Sequence, residues 1–185
     1  MLKNTTQKYG GLAQLFHWVI VILIIYQFYL ANKAEDLPVL KKIGVLAQHK
    51  SIGMTIFALA LLRLAWRLMN PVPAVPAGMP RWQRIGAHFS HGALYALIMV
   101  TPLFGWMMSS ARNYSVSWFG IFTFPNLVKP DKASYEFFLT THHWLAYAIF
   151  AIAVLHALAA LKHHFVDRDN VLRRMLPVKL KPGRP

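Results

Sequence analysis

No cysteine occurs in the 185-residue chain, which excludes disulfides, thiolate nucleophiles and iron–sulfur ligation. Acids are scarce too: six Asp and Glu stand against 20 Lys and Arg. None of the six falls inside the four long apolar stretches of the chain, so a zinc site helped by carboxylates has nothing to draw on there. A net charge of +14 could point to nucleic acid. The basic residues do not cluster on a polar domain, however, and no nucleic-acid partner is expected. The N-terminus, MLKNTTQKYGGLAQ, lacks a short apolar core ending at a small-residue cleavage site. The apolar run that follows is too long for a signal peptide and reads as a retained helix. No internal repeat is evident.

What is present is apolar bulk. The chain is 56% hydrophobic with a mean hydropathy of +0.39, well above a soluble domain. Four stretches, about 13–31, 43–66, 85–108 and 137–161, are each long enough to cross a hydrocarbon core of about 30 Å. The expected fold is all-α, an integral membrane four-helix bundle forming a single domain over residues 1–185, with lipid as its surrounding partner. Pro102 should bend the third span without disqualifying it, since neighbouring helices can satisfy the freed carbonyl. With four spans, the N-tail, the second connection and the C-terminal segment share one side. They hold 13 of the 20 basic residues, with only Asp167 and Asp169 as acids. The positive-inside rule then predicts both termini in the cytoplasm. NPVPAVPAGMPRW reads as a Pro-rich cytoplasmic linker. SARNYSVSWFGIFTFPNLVKPDK reads as an outer loop, with Trp118, Phe119, Phe122 and Phe124 at the interface.

All nine histidines lie in the spans or at their edges: His17, His49, His88, His91, His142, His143, His156, His163 and His164. Histidine is costly inside a bilayer and generally has a functional partner there. On the fourth span, His142 and His156 are 14 residues apart, which is about 21 Å of axial rise and only about 40° of rotation. They share one face at two depths. His143 and His156 differ by about 140° and cannot share a face. One helix thus offers one ligand per leaflet, the arrangement expected for two stacked haems. His49 lies at the depth of His142 and His17 at the depth of His156. Imidazole on both sides would give six-coordinate iron suited to electron transfer. A different class of protein, a metal or ion transporter, would use the same histidines as transient ligands. Gly53, on the face of His49, either leaves room for a flat macrocycle or allows ordinary close helix packing.

These residues resemble the bacterial cytochrome b561 family over nearly the whole chain. The resemblance rests on LFHW in the first span, AQHKSIG with LLRLAWRL in the second and AHFSHGALYALIMVTPLFGW in the third. It continues in THHWLAYAIFAIAVLHALAALKHHF followed by DNVLRRMLP. It implies a four-helix bundle with two b-type haems that exchanges electrons with quinone in the bacterial inner membrane. It makes His17, His49, His142 and His156 the axial ligands of haem iron, pairing His17 with His156 and His49 with His142. It leaves the donor open. A periplasmic-side donor such as superoxide would make the protein a superoxide:ubiquinone oxidoreductase. Alternatively, the chain is a haem-bearing membrane anchor relaying electrons to or from a partner redox protein.

Several polar groups remain. His91 and His163 lie in the leaflet of His156 without axial duty. They either serve a ubiquinone head group, which needs hydrogen-bond partners and a proton donor, or simply hydrogen-bond at the interface. His164 is expected to face solvent. Arg63 and Arg67 either pair with haem propionates or snorkel to lipid phosphates. Lys41, Lys42 and Lys50, on the outer side, either draw in an anionic reductant or form a solvated loop.

Overall fold

The computed structural model describes residues 1–76 and 78–180. Four helices dominate: α1 (Gly11–Glu35), α2 (Val39–Met69), α3 (Arg81–Ala111) and α4 (Lys132–Phe165). All four are long and apolar enough to cross a membrane, and they overrun the apolar stretches of the sequence at both ends. At about 1.5 Å per residue, the 34 residues of α4 span about 51 Å, well beyond a hydrocarbon core of about 30 Å. α3 runs through Pro102 without a break.

The helices pack as two antiparallel pairs, α1 along α2 and α3 along α4, with α2 touching α3. The packed core is small and lies where α1 meets α2. Leu30, Ile52 and Ile56 are buried there, with Leu23, Ile24, Val45 and Ile98 against them. α4 buries only Ile149, while Phe137, Trp144, Tyr147, Phe150, Leu155 and Leu158 lie open. Apolar side chains left open on such a helix suit lipid contact rather than water.

The N-tail and the C-terminal segment through residue 180 lie at one end. The N-tail, the linker after α2 and the C-terminal segment are knitted together there. Asn4 Nδ2 donates to the Pro71 carbonyl at 3.0 Å, and Ala74 N–H donates to the Thr6 carbonyl at 3.1 Å. Gln14 Nε2 donates to the carbonyls of Tyr9 at 2.9 Å, Arg174 at 3.2 Å and Leu176 at 3.3 Å. Trp18 Nε1 donates to the Met175 carbonyl at 2.7 Å, beside a 3-10 turn at Arg173–Met175.

At the far end the α3–α4 connection is more ordered than an irregular loop. β1 (Val116–Trp118) pairs antiparallel with β2 (Phe122–Phe124). The turn between them uses Phe119 and Gly120 in the left-handed region, at φ 50° and 77°. This hairpin is fastened to α2: Ser51 Oγ lies 2.9 Å from the Ser117 carbonyl and accepts the Phe119 N–H at 3.1 Å. Trp118 Nε1 donates to Thr55 Oγ1 at 3.0 Å. α4 then starts at an N-cap, where Asp131 accepts the Ser134 N–H at 2.7 Å. That bond holds the Asp131 carboxyl below its usual range, because it favours the charged form.

Candidate functional site

The two helix pairs face one another through histidines at two levels. His17 on α1 and His156 on α4 have ring centroids 6.4 Å apart with planes at 76°. His49 on α2 and His142 on α4 have centroids 6.3 Å apart with planes at 70°. With metal–imidazole bonds of about 2 Å and about 1.1 Å from ring nitrogen to centroid, two imidazoles trans on one metal have centroids about 6 Å apart. Both pairs have that separation. His91 on α3 also approaches His156, but at 5.1 Å. That is too close for a metal between the rings, so His91 packs beside the His156 imidazole.

The upper pair is oriented by α3. His142 Nδ1 donates to the Thr101 carbonyl at 3.0 Å, which fixes its tautomer and leaves Nε2 free to bind a metal. Gly105 makes this possible. A Cβ at that position would lie 3.1 Å from His142 Cε1 and 3.2 Å from Nδ1. The carbonyl of Thr101 points along the helix toward residue 105, and a side chain there would crowd the imidazole beside that carbonyl, which would have to give by a few tenths of an ångström. Gly53, in contrast, faces Gln27: its added Cβ would meet Nε2 of that flexible side chain at 3.1 Å. Its place is therefore close packing of α1 on α2, not a slot. Gln27 Nε2 in turn donates to the His49 carbonyl at 2.9 Å. The Nδ1 atoms of His17 and His49 are buried with no hydrogen-bond partner among the described residues.

The remaining candidates divide. His91 belongs to the lower pair. His163 is paired with carboxylates beyond α4, with Nδ1 donating to Asp169 Oδ2 at 2.6 Å and lying 3.1 Å from Asp167 Oδ2. His164 is half-buried and packs edge-on to Phe165 at 4.8 Å, not fully open as expected. His143 is exposed, and His88 Nδ1 donates to the Arg84 carbonyl of its own helix at 2.7 Å. Arg63 and Arg67 both lie over the Tyr95 ring, at 5.2 and 5.8 Å from its centroid. They line a small cleft, of about 20 Å³, with Tyr9, Trp66 and Met175. No carboxylate among the described residues pairs with either guanidinium. On the far side Lys50 lies over Tyr114 at 5.7 Å, while Lys41 is exposed and Lys42 half-buried.

Thr101, Gly105, Gln27, Asp167 and Asp169 were not singled out as site residues from sequence. A Gly three residues after a helix-internal Pro, on the span facing His142, was the available signal for Gly105. The others act through contacts between elements that no local pattern announces.

Comparison with known proteins bears on this arrangement. Residues 8–178 match the family described as Prokaryotic cytochrome b561. The chain is 31% identical over 186 residues to Cytochrome b561 homolog 2 of Escherichia coli (strain K12), covering 94% of this chain and 93% of that protein. It is 30% identical over 177 residues to the Probable superoxide oxidase CybB of Yersinia pestis, covering 94% and 98%. Cytochrome b561 homolog 1 of Escherichia coli (strain K12) is 31% identical over 130 residues, covering 70% and 73%. A histidine-rich bundle of four membrane-spanning helices, matched end to end in this way, belongs to the prokaryotic cytochrome b561 family of haem proteins of the bacterial inner membrane.

Proposed function

We propose that this chain carries two b-type haems, one in each leaflet, and moves single electrons from a donor on the outer side to ubiquinone. The observation that carries the reading is the repeated geometry. Two facing imidazole pairs stand at two levels of the bundle, 6.3 and 6.4 Å between centroids, and α4 supplies one member to each. In this assignment His49 and His142 hold the outer haem iron, and His17 and His156 the inner one. Haem held between two imidazoles supplies one-electron redox chemistry without an open coordination position.

The protein's own residues do the rest. Thr101 and Gly105 set the His142 ring. Arg63 and Arg67, lacking a carboxylate partner, offer charge-assisted donors to the propionates of the inner haem. His91 and His163, in the inner leaflet, are the candidate ubiquinone contacts. Their different neighbours give them different parts: His91 lies against His156 near the redox centre, and His163 stands at the water-facing end of α4.

For the donor, the name of the Yersinia pestis relative supports superoxide. Lys50 and its neighbours Lys41 and Lys42 give the outer face the positive charge that would steer an anion. An anchor that relays electrons to a partner redox protein is the remaining electron-transfer reading. A haem count on purified protein tests the proposal. The pyridine haemochrome assay should give two b haems per chain, with a low-spin reduced-minus-oxidised spectrum. One haem per chain would overturn the two-level assignment.

A further inference from the structure

The last turn of α4 holds a carboxylate pair that electron transfer by itself leaves without a task. Among the described residues, Asp167 and Asp169 are the only acidic side chains at the end where the N-tail meets the C-terminal segment, and both fold back onto one imidazole. His163 Nδ1 lies 2.6 Å from Asp169 Oδ2 and 3.1 Å from Asp167 Oδ2. The side chains of His163 and Asp169 are only 12% and 14% exposed, whereas Asp167 is 29% exposed and takes Lys162 Nζ at 2.7 Å. The inner contact is shielded, and the outer one reaches toward water.

Asp169 is also held on every side. Its Oδ1 accepts the Val171 N–H at 2.8 Å, and its own N–H donates to the His163 carbonyl at 3.1 Å. The chain closes this loop by placing Arg168 in the left-handed region at φ 57°. A basic residue near a helix C-terminus already gains from the helix dipole. A carboxylate bound to the backbone on one oxygen and to the imidazole on the other does more: it fixes the rotation of the ring and decides which nitrogen carries the shared proton. The three side chains could also ring a cation, since their ligand atoms lie within 4.8 Å of one another. Lys162 Nζ already fills that role at Asp167.

We propose that Asp169 is a positioning residue for proton delivery to ubiquinone, holding His163 so that Nε2–H faces the quinone oxygen. Asp167 and Lys162 form the water-facing edge of the same cluster. This rests on the reading of the inner leaflet as the quinone side. Ubiquinone gains two electrons, arriving singly from the protein's redox centres, and two protons from water, and becomes ubiquinol. Each of the two protons leaves His163 Nε2 in turn as its O–H bond forms. The ring is left neutral with Nδ1–H still on Asp169, and Nε2 regains a proton from water. Asp169 neither gains nor loses a proton over the cycle.

The test uses haem-loaded, pre-reduced protein mixed in stopped flow with a soluble ubiquinone analogue or with ferricyanide, which takes an electron without a proton. Asp169→Asn keeps an oxygen for the Val171 N–H and removes the charge facing His163. The expected result is quinone reoxidation slowed at least tenfold, with a larger solvent deuterium effect. Haem spectra and the ferricyanide rate should be unchanged, and Asp169→Glu should recover part of the quinone rate. His163→Gln should behave like Asp169→Asn. A normal quinone rate in Asp169→Asn with a slow His163→Gln would overturn the proposal and keep the quinone site. Normal quinone rates in both would overturn the proposal and remove His163 from the quinone site, leaving His91. Haem loss, or equal slowing with both oxidants, would make Asp169 purely structural and likewise overturn the proposal.

Discussion

His142 shows what a single residue contributes and how its neighbours shape it. Its ring is caught between the Thr101 carbonyl, 3.0 Å from Nδ1, and His49 across the seam, while His143 beside it is exposed. The proposed assignment therefore expects unequal outcomes from adjacent substitutions. His142→Ala should abolish the outer haem's absorption, and His143→Ala should leave both haems intact, as read from reduced-minus-oxidised spectra. The reverse result would exchange their roles. Gly105→Val should act like a weak His142 variant, shifting the outer haem's potential in a redox titration, because even a single added Cβ comes within 3.1 Å of the ring. Gly53→Ala should leave the His142 ring undisturbed, since its added Cβ meets Gln27 Nε2 and no imidazole, at the cost of that amide's bond to the His49 carbonyl. The distinction between His142 and His143 was legible in the sequence because both sit on one helix, where 100° per residue separates their faces. Gly105 was not. Its role depends on which neighbouring helix brings an imidazole to it, and helix periodicity is silent about that. The same limit explains why Gly53 drew notice from sequence and yet packs on Gln27.

At the scale of elements, the four helices could be read from hydropathy alone, but the hairpin β1–β2 could not. Strands of three residues carry too little alternation to register, and this hairpin owes its place to two hydroxyls on α2. Ser51 is buried, 3% exposed. It serves two partners in the hairpin, the Ser117 carbonyl and the Phe119 N–H, besides approaching its own Ala47 carbonyl at 2.9 Å. Phe119 is held in the left-handed region there, which a bulky residue adopts only under constraint. Ser51→Ala leaves that N–H without a partner and should cost about 1–3 kcal/mol. The expected result is a lower melting temperature and faster protease cleavage within residues 113–127. Melting and cleavage like those of the unsubstituted protein would mean that Trp118, through Thr55, holds the hairpin without Ser51.

For the whole molecule, the two antiparallel helix pairs bring the N-tail and the C-terminal segment through residue 180 to one end, and the connections there fold into a single layer. Lys8 Nζ donates to the Val178 carbonyl at 2.5 Å, Arg174 reaches the Ala74 carbonyl, and Arg173 Nη2 donates to the Lys179 carbonyl at 2.8 Å. Polar linkers have no periodicity, so this layer was illegible in the sequence. Its charge was not: along the sequence, 13 of the 20 basic residues fall in these three segments or in the helix ends beside them. Such segments resist translocation and are drawn to anionic phospholipids of the cytoplasmic leaflet, by about 1 kcal/mol per basic residue near the surface. Several of these side chains are spent on carbonyls within the layer, but hydrogen bonding leaves their positive charge in place, so the bias survives folding. The expectation is a cytoplasmic layer. Fluorescent protein fused after Pro185, which matures in the cytoplasm and not after export through the general secretory route, should glow, and alkaline phosphatase fused there should be inactive. Because the N-tail and the C-terminal segment share one end, N-terminal fusions should give the same answer, and a split result would contradict the four-helix arrangement itself. Two periplasmic readings would preserve the fold and invert it in the bilayer. His163 and Asp169 would then draw their protons from the periplasm, and the lysines around His49 would face the cytoplasm, where an external anion could not be steered by them.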